Sequence, residues 1–526
     1  MNKALLIFFA CLFGSHSLWA AEQPNILFII TDDMYPYQMN FMPQGRGSNY
    51  TPNLDRLASE GTIMRNQHVS SPVCTPSRYS VLTGRYASRS QAPAFLNTTE
   101  QIGQSLIQWN SYIEPTKEKT IAHHLTDAGY RTGFVGKDHV IYTPGRQPLS
   151  RSSNVEDPEI QKIMEENRVA SETAIHRAGF EYVDRIFPNN PDYNGSMTLS
   201  VHNQDWITEG ALNFLDEKDD RPFFLYFATT IPHIPVDDHR SWDADRRATP
   251  NGWLENAPDV QPDSDSIARR AREHDVEGKE TIIWLDDAIG ALLDKLDATG
   301  ELDNTIIFFF NDHGQSAKGS LYQGGAYDPS IVWRNEPWPA GNESSALVSN
   351  IDFTPTILEL AGAPKPDQLD GISFLPILEN QADSVRDSLF FEIGYTRAVL
   401  KDNYKYLAIR YPDNIENLSL EGRQANLDRM NNNLTERGRP LNNLDPMAPF
   451  GHMTPIPGGQ DAEQGAINSH PNYNDPDQLY DLNTDPDEQV NVINEENMSA
   501  KLDELKALMQ SYLDKLPGVF PLENGR

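Results

Sequence analysis

The 526-residue chain predicts an α/β protein whose central sheet is mostly parallel, followed by a smaller α+β subdomain with an antiparallel sheet. Three observations predict it. Apolar, β-branched or aromatic runs alternate with helix-periodic segments, and each run ends abruptly in polar residues able to do chemistry. Beyond about residue 385 the pattern changes to short strands joined by tight turns.

The elements follow in chain order. Asn25 to Ile30 reads as a strand that runs into Thr31, Asp32 and Asp33. A helix is predicted from Pro76 to Leu82, with proline in its first turn and a stop near Gly84; the free N–H groups of that turn favour an anion beside Cys74. Arg131 to Val135 reads as a second strand, leading to Gly136, Lys137, Asp138 and His139, and Phe223 to Ala228 as a third, leading to Pro232 and His233. A periodic helix from Ile282 to Leu296 precedes a fourth strand, Thr305 to Phe310, which ends in Asn311, Asp312, His313 and Gly314. Ligands of open α/β sheets sit beyond the carboxyl ends of the strands, so four strands aim reactive side chains at one edge. Arg397 to Leu407 reads as a hairpin turning at Asp402 and Asn403. The polar stretches near 145–200, 236–275 and 411–475 read as long surface loops.

Composition narrows the function. Lys+Arg 43 against Asp+Glu 76 gives a formal charge of -33, which excludes nucleic-acid binding through a generally basic surface. Any anionic substrate must therefore meet a local basic pocket. Such acidity suits a salty habitat, where the Debye length shrinks to about 3 Å at 1 M. The start of the chain reads as a leader over residues 1–21: Lys3 supplies charge, Ala4 to Phe13 is apolar but too short to span a bilayer, and Ala20 and Ala21 offer a cleavage site. A periplasmic or secreted protein is expected, with acylation of Cys11 as an alternative. No later stretch is apolar enough to cross a membrane. Once the leader is removed Cys74 stands alone, so no internal disulfide can form.

Taken singly, these residues have bland explanations. An aspartate pair after a strand caps helices and turns, a lone histidine is most often packed, and a lone cysteine is most often an inert buried thiol. Their recurrence at strand ends argues for one site.

The segment Cys74-Thr75-Pro76-Ser77-Arg78, continued by Leu82-Thr83-Gly84-Arg85, resembles the signature of the type I, formylglycine-dependent sulfatases of the alkaline phosphatase superfamily. Further blocks recur in order: Pro24-Asn25-Ile26 with Asp32-Asp33, Thr51 to Leu57, Gly136-Lys137-Asp138-His139, Pro232-His233, Asp312-His313-Gly314, and a tail of Leu479-Tyr480-Asp481-Leu482 with Asp485-Pro486 and Glu488. The resemblance covers most of the mature chain except the long stretches between the blocks. It implies a three-layer alkaline-phosphatase-like domain over 22–385 and a C-terminal subdomain over 386–526.

It also implies the chemistry. Cys74 would be oxidised to formylglycine by a formylglycine-generating or anaerobic sulfatase-maturating enzyme. Asp32, Asp33, Asp312 and His313, with the modified Cys74, would hold one divalent cation; carboxylate oxygens favour Ca2+, and the histidine nitrogen leaves Mg2+ or Mn2+ open. Arg78 would orient the hydrated aldehyde, Lys137 and Lys318 would bind sulfate oxygens, His139 would accept a proton, and His233 would protonate the leaving alcohol. The implied substrate is a sulfate ester, here a sulfated polysaccharide or its oligosaccharides, a marine galactan such as carrageenan among them. A phosphonate or phosphate monoester hydrolase, and an inactive protein that binds sulfated glycans, stay open as alternatives. Tyr322, Tyr327, Trp333, Arg334, Tyr395 and Arg397 are candidates for the cleft because aromatic faces stack on sugars; a core or rim role is equally open for each.

Overall fold

The computed structural model describes residues 23–436, 441, 444–447 and 460–522. The leader expected over 1–21, with Cys11, lies outside the described residues.

Eight strands form the main sheet, in the order Glu343–Ser344, Thr62–Met64, Ser330–Trp333, Thr305–Asn311, Asn25–Asp32, Phe223–Pro232, Arg131–Lys137 and Tyr182–Phe187. All run parallel except Ser330–Trp333, which is antiparallel to both its neighbours. The central strand Asn25–Asp32 is buried along its whole length, as a strand covered on both faces must be. Its alternate residues feed two cores: Ile26, Phe28 and Ile30 on one face, Leu27 and Ile29 on the other. Helices Pro52–Glu60, Gln204–Asp216 and Glu280–Thr299 pack into the second core, while Cys74–Thr83, Ile121–Asp127 and Phe353–Leu360 contribute to the first. The domain therefore has three layers.

Gly136 makes the close approach of two strands possible. A Cβ there would lie 1.9 Å from the Ala228 carbonyl oxygen, and its φ is 97°. That approach delivers Lys137 and His139 beside the end of Phe223–Pro232.

The second sheet runs antiparallel through Ser388–Ile393, Thr396–Lys401, Tyr404–Ile409 and Asp477–Asp481. Asp402 and Asn403 take φ of 52° and 61°, the left-handed pair that a two-residue hairpin turn demands. Helix Ser499–Leu513 covers this sheet with Leu505 and Met509.

Three stretches read as loops hold regular structure. The 145–200 stretch contains the helix Pro158–Arg177 and the edge strand Tyr182–Phe187, the 236–275 stretch contains Ser264–Glu273, and the 411–475 stretch contains Leu420–Glu436 and Gln460–Ser469. Pro158–Arg177 buries only Met164, Ser171, Ala174 and Ile175, too thin an apolar stripe to stand out. Charge pairs on its surface, with Arg168 bridging Glu165 and Glu172, support it instead.

Candidate active site

Cys74 opens the helix Cys74–Thr83, two residues earlier than the proline alone indicated, and every residue of that helix is buried. Gly84 ends it at φ 64°. Its thiol lies 3.6 Å from Asp32 Oδ1, 3.5 Å from His313 Nε2 and 3.7 Å from Lys318 Nζ. Residues far apart in sequence converge here because Asn25–Asp32 pairs in parallel with both Phe223–Pro232 and Thr305–Asn311, bringing the strand ends to one edge.

Three carboxylates share this buried space. Lys137 pairs with Asp32, Lys318 reaches both oxygens of Asp33 at 2.7 Å, and Arg78 binds Asp312 Oδ2 through Nη2 at 3.1 Å and Nε at 3.2 Å. Burial opposes the charge of Asp32, yet Lys137, His233, Arg78 and Lys318 hold it well below the usual carboxylate range. Burial likewise opposes the ammonium of Lys318, but Asp33, Cys74 and Asp32 outweigh it and raise that group. The Cys74 thiol is pushed well up by burial, so as a thiol it is a poor nucleophile.

The two catalytic-histidine candidates sit in different surroundings. His233 Nε2 is 3.3 Å from Asp33 Oδ2, while its Nδ1–H donates to the Ile234 carbonyl at 2.8 Å. His139 takes φ 49°, and its backbone carbonyl accepts from Thr75 Oγ1 at 3.0 Å. Burial lowers both; beyond that, Asp33 and Asp32 support the protonated form of His233, whereas Lys137 opposes that of His139, which falls well below the ordinary value.

The donor set fits a hard divalent cation. Ligand atoms of Asp33, Cys74 and His313 lie within 4.8 Å of one another, as do those of Asp32, Cys74 and Asp312, giving three carboxylates and one imidazole around the thiol. The buried His139 Nδ1 is also left without a protein hydrogen bond. Asp32, Asp33, Cys74, Arg78, Lys137, His139, His233, Asp312, His313 and Lys318 are thus gathered in one place.

Tyr322, Trp333, Tyr395 and Arg397 are buried. Tyr322 stacks on His470 at 3.8 Å and donates its hydroxyl to Gln478 at 2.7 Å, filling the joint between the two sheets. Arg397 is spent on the carbonyls of Gly394, Thr396 and Ser105 at 3.1, 2.8 and 2.8 Å. Trp333 and Arg334 follow from an antiparallel strand, so they emerge at the opposite edge, Trp333 level with Ile307, and Arg334 lies over Trp338 at 4.0 Å. Tyr327 packs edge-on against His68 at 5.5 Å.

Sequence reading missed three supporting side chains. Asn311 cross-links the two aspartate segments, accepting from Met34 N at 2.9 Å and Thr31 Oγ1 at 3.2 Å and donating to the His313 carbonyl. Asp328 accepts from Asn311 Nδ2 at 3.3 Å. His202 contacts the His233 carbonyl at 2.9 Å through Nε2 and Thr230 Oγ1 at 2.8 Å through Nδ1. Asn311 carried a signal, a polar residue closing an apolar strand; His202 and Asp328 carried none.

Comparison with known proteins completes the description. A family model described as Sulfatase matches residues 24–363, and one described as N-sulphoglucosamine sulphohydrolase, C-terminal, matches residues 311–438. The chain is similar to the N-acetylgalactosamine-6-sulfatase of Homo sapiens, 28% identical over 400 residues that cover 69% of this chain and 67% of that protein. It is also similar to an ulvan-active sulfatase of Formosa agariphila, 26% identical over 509 residues, with coverage of 94% and 75%. A crystal structure of Ps i-CgsB in complex with k-i-k-neocarrahexaose shares the fold at TM-score 0.56 and 20% identity, covering 94% of each chain.

Proposed function

The chain belongs to the sulfatase family of the alkaline phosphatase-like superfamily, and we propose that it hydrolyses sulfate esters of a sulfated polysaccharide or its oligosaccharides with a formylglycine made from Cys74. One observation carries this reading: the lone described cysteine meets three carboxylates, His313 and Lys318 in one buried space. Asp32, Asp33, Asp312 and His313 hold the cation, with calcium favoured by the oxygen-rich set. When bound, the cation polarises the sulfate oxygens and the nucleophile. Formylglycine supplies a hydrated aldehyde with two hydroxyls, one for attack at sulfur and one for expelling the sulfate afterwards.

The remaining work falls to this chain's own groups. Arg78, fixed on Asp312, orients the nucleophile. Lys137 and Lys318 neutralise sulfate oxygens. His139, held neutral, accepts a proton through a ring nitrogen, and His233, with Asp33 favouring its charged form, gives one to the leaving alcohol. With three cationic side chains against three carboxylates, the added charge of a divalent cation leaves the site net positive, which suits an anionic ester in an otherwise acidic protein.

Relatives and structural neighbours named for ulvan, for N-acetylgalactosamine 6-sulfate and for neocarrahexaose support a sulfated carbohydrate, a marine galactan such as carrageenan among them. In this reading residues 22–385 form the catalytic unit, the leader is removed on export to the periplasm or medium, and a maturating enzyme of either the formylglycine-generating or the anaerobic type oxidises Cys74. No described helix is long and apolar enough to cross a membrane.

The test is sulfate release from a panel of defined sulfated oligosaccharides, with matched aryl sulfate and aryl phosphonate esters alongside. Matured enzyme should release sulfate and favour the aryl sulfate, and Cys74→Ala should abolish both. A higher kcat/KM on the phosphonate would overturn the sulfatase reading of the site.

A further inference from the structure

The parallel register pairs Asp32 with Pro232, so the chain leaves these two neighbouring strands side by side. The first exit continues through Asp33 to Tyr35 and Tyr37, the second through His233 to Ile234 and Val236. Strands so paired lie about 4.8 Å apart, and contact persists past their ends, where His233 Nε2 stands 3.3 Å from Asp33 Oδ2. Beyond that contact both segments turn large apolar side chains to solvent: Tyr37 is 48% exposed, Ile234 49% and Val236 66%. Tyr35 and Tyr37 stack on each other at 5.1 Å, which sets two rings in one rigid plate. Neither exit carries a lysine or arginine between residues 33 and 45 or between 231 and 239, and the second continues into exposed Asp237, 3.9 Å from Arg240, and exposed Asp238.

We propose that these two exits form an apolar lip that receives the leaving sugar, and that the lip selects a neutral sugar ring over a uronate or a second sulfated ring on the leaving-group side. The inference deepens the proposed function and rests on it, because it takes His233 as the donor to the leaving alcohol. An aromatic plate and two aliphatic side chains offer the apolar C–H face of a sugar what it needs and offer a carboxylate nothing. Asp237 and Asp238 add repulsion against a second anion, which makes the selection partly negative. Arg78, Lys137 and Lys318, the cations of the site, each pair with one of its carboxylates.

Matured enzyme should be assayed on a monosulfated neutral galactan oligosaccharide and on an oligosaccharide whose single sulfate sits on a uronate ring, with 4-nitrophenyl sulfate reporting the sulfate-processing groups. The quantity read is the ratio of kcat/KM for the neutral over the uronate substrate. The wild-type ratio should exceed one, and Tyr37→Ala should lower it about five- to tenfold, the worth of one stacking contact. Val236→Arg should lower it further by raising kcat/KM on the uronate, an effect that a merely structural residue would not produce. A ratio unmoved by both substitutions while 4-nitrophenyl sulfate is turned over overturns the lip and leaves the proposed function standing. Absence of turnover on all three esters sinks the reading of the site, and the lip with it.

Discussion

Asn311 offers no ligand atom of its own to a cation, yet it fixes two of the segments that would carry them. Its oxygen accepts from Met34 N and Thr31 Oγ1, on either side of Asp32 and Asp33, and its amide nitrogen donates to the carbonyl of His313 and to Asp328. Outer groups that orient ligands are worth about 10- to 100-fold in metal affinity. If the site holds the proposed cation, Asn311→Ala should weaken its binding by about that factor, read by titration calorimetry with calcium as the probe; affinity equal to wild type would contradict the bracing role. The ligand candidates were legible because each closes an apolar strand, as Asp32 and Asp312 do. His202 was not, since its task is set by the His233 carbonyl, 31 residues away in sequence and adjacent only in the fold.

Elements position the site through their ends, and one helix end is held from outside itself. Thr51 makes no side-chain cap for the helix Pro52–Glu60. Asp286, on the helix Glu280–Thr299, takes that part, accepting from Asn53 N at 3.1 Å, Leu54 N at 2.8 Å and Asn53 Nδ2 at 2.9 Å. Burial pushes the Asp286 carboxyl up to about 7 from an unfolded value of 3.8. Between those two values the folded protein binds more protons than the unfolded one, so this group's contribution to stability falls as pH rises. The full span is worth about 4 kcal/mol. Asp286→Asn removes the ionisation, so its melting temperature relative to wild type should rise from pH 4 to pH 8 in scanning calorimetry; a difference constant with pH would contradict the shift. The Thr51 to Leu57 block is plain in the sequence, but its capping partner lies more than 200 residues on and no local pattern announces it. The helix Pro158–Arg177 escaped notice for a related reason: its buried apolar stripe is thin, surface ion pairs add to it, and helix-period apolar spacing reports only burial.

Across the whole molecule, two sheets meet around the loop that carries Lys318. Lys405, buried in the antiparallel sheet, donates to the Leu321 carbonyl at 2.9 Å and Gln323 Oε1 at 3.0 Å and pairs with buried Glu488 at 2.7 Å. Gly319 N ties the same loop to the Pro72 carbonyl at 3.0 Å, next to Cys74. The C-terminal subdomain thereby holds a residue of the main site. This explains both the outcome for Lys318, whose place no strand pattern marked, and the outcome for Tyr322, which takes the core role of the two its sequence left open and packs the joint. Parallel architecture, strand ends and the Cys74 block could be read from sequence because each is a local pattern; the joint could not, because buried pairs such as Lys405 with Glu488 acquire meaning only once the sheets are docked. The proposed chemistry turns on whether Cys74 becomes an aldehyde. Mass spectrometry of the Cys74 peptide, taken from preparations of graded maturation and set against their rates of sulfate release, tests it most directly. Release should rise in proportion to the fraction of peptide carrying the aldehyde in place of the thiol, and full turnover from protein whose peptide carries only the thiol would contradict it.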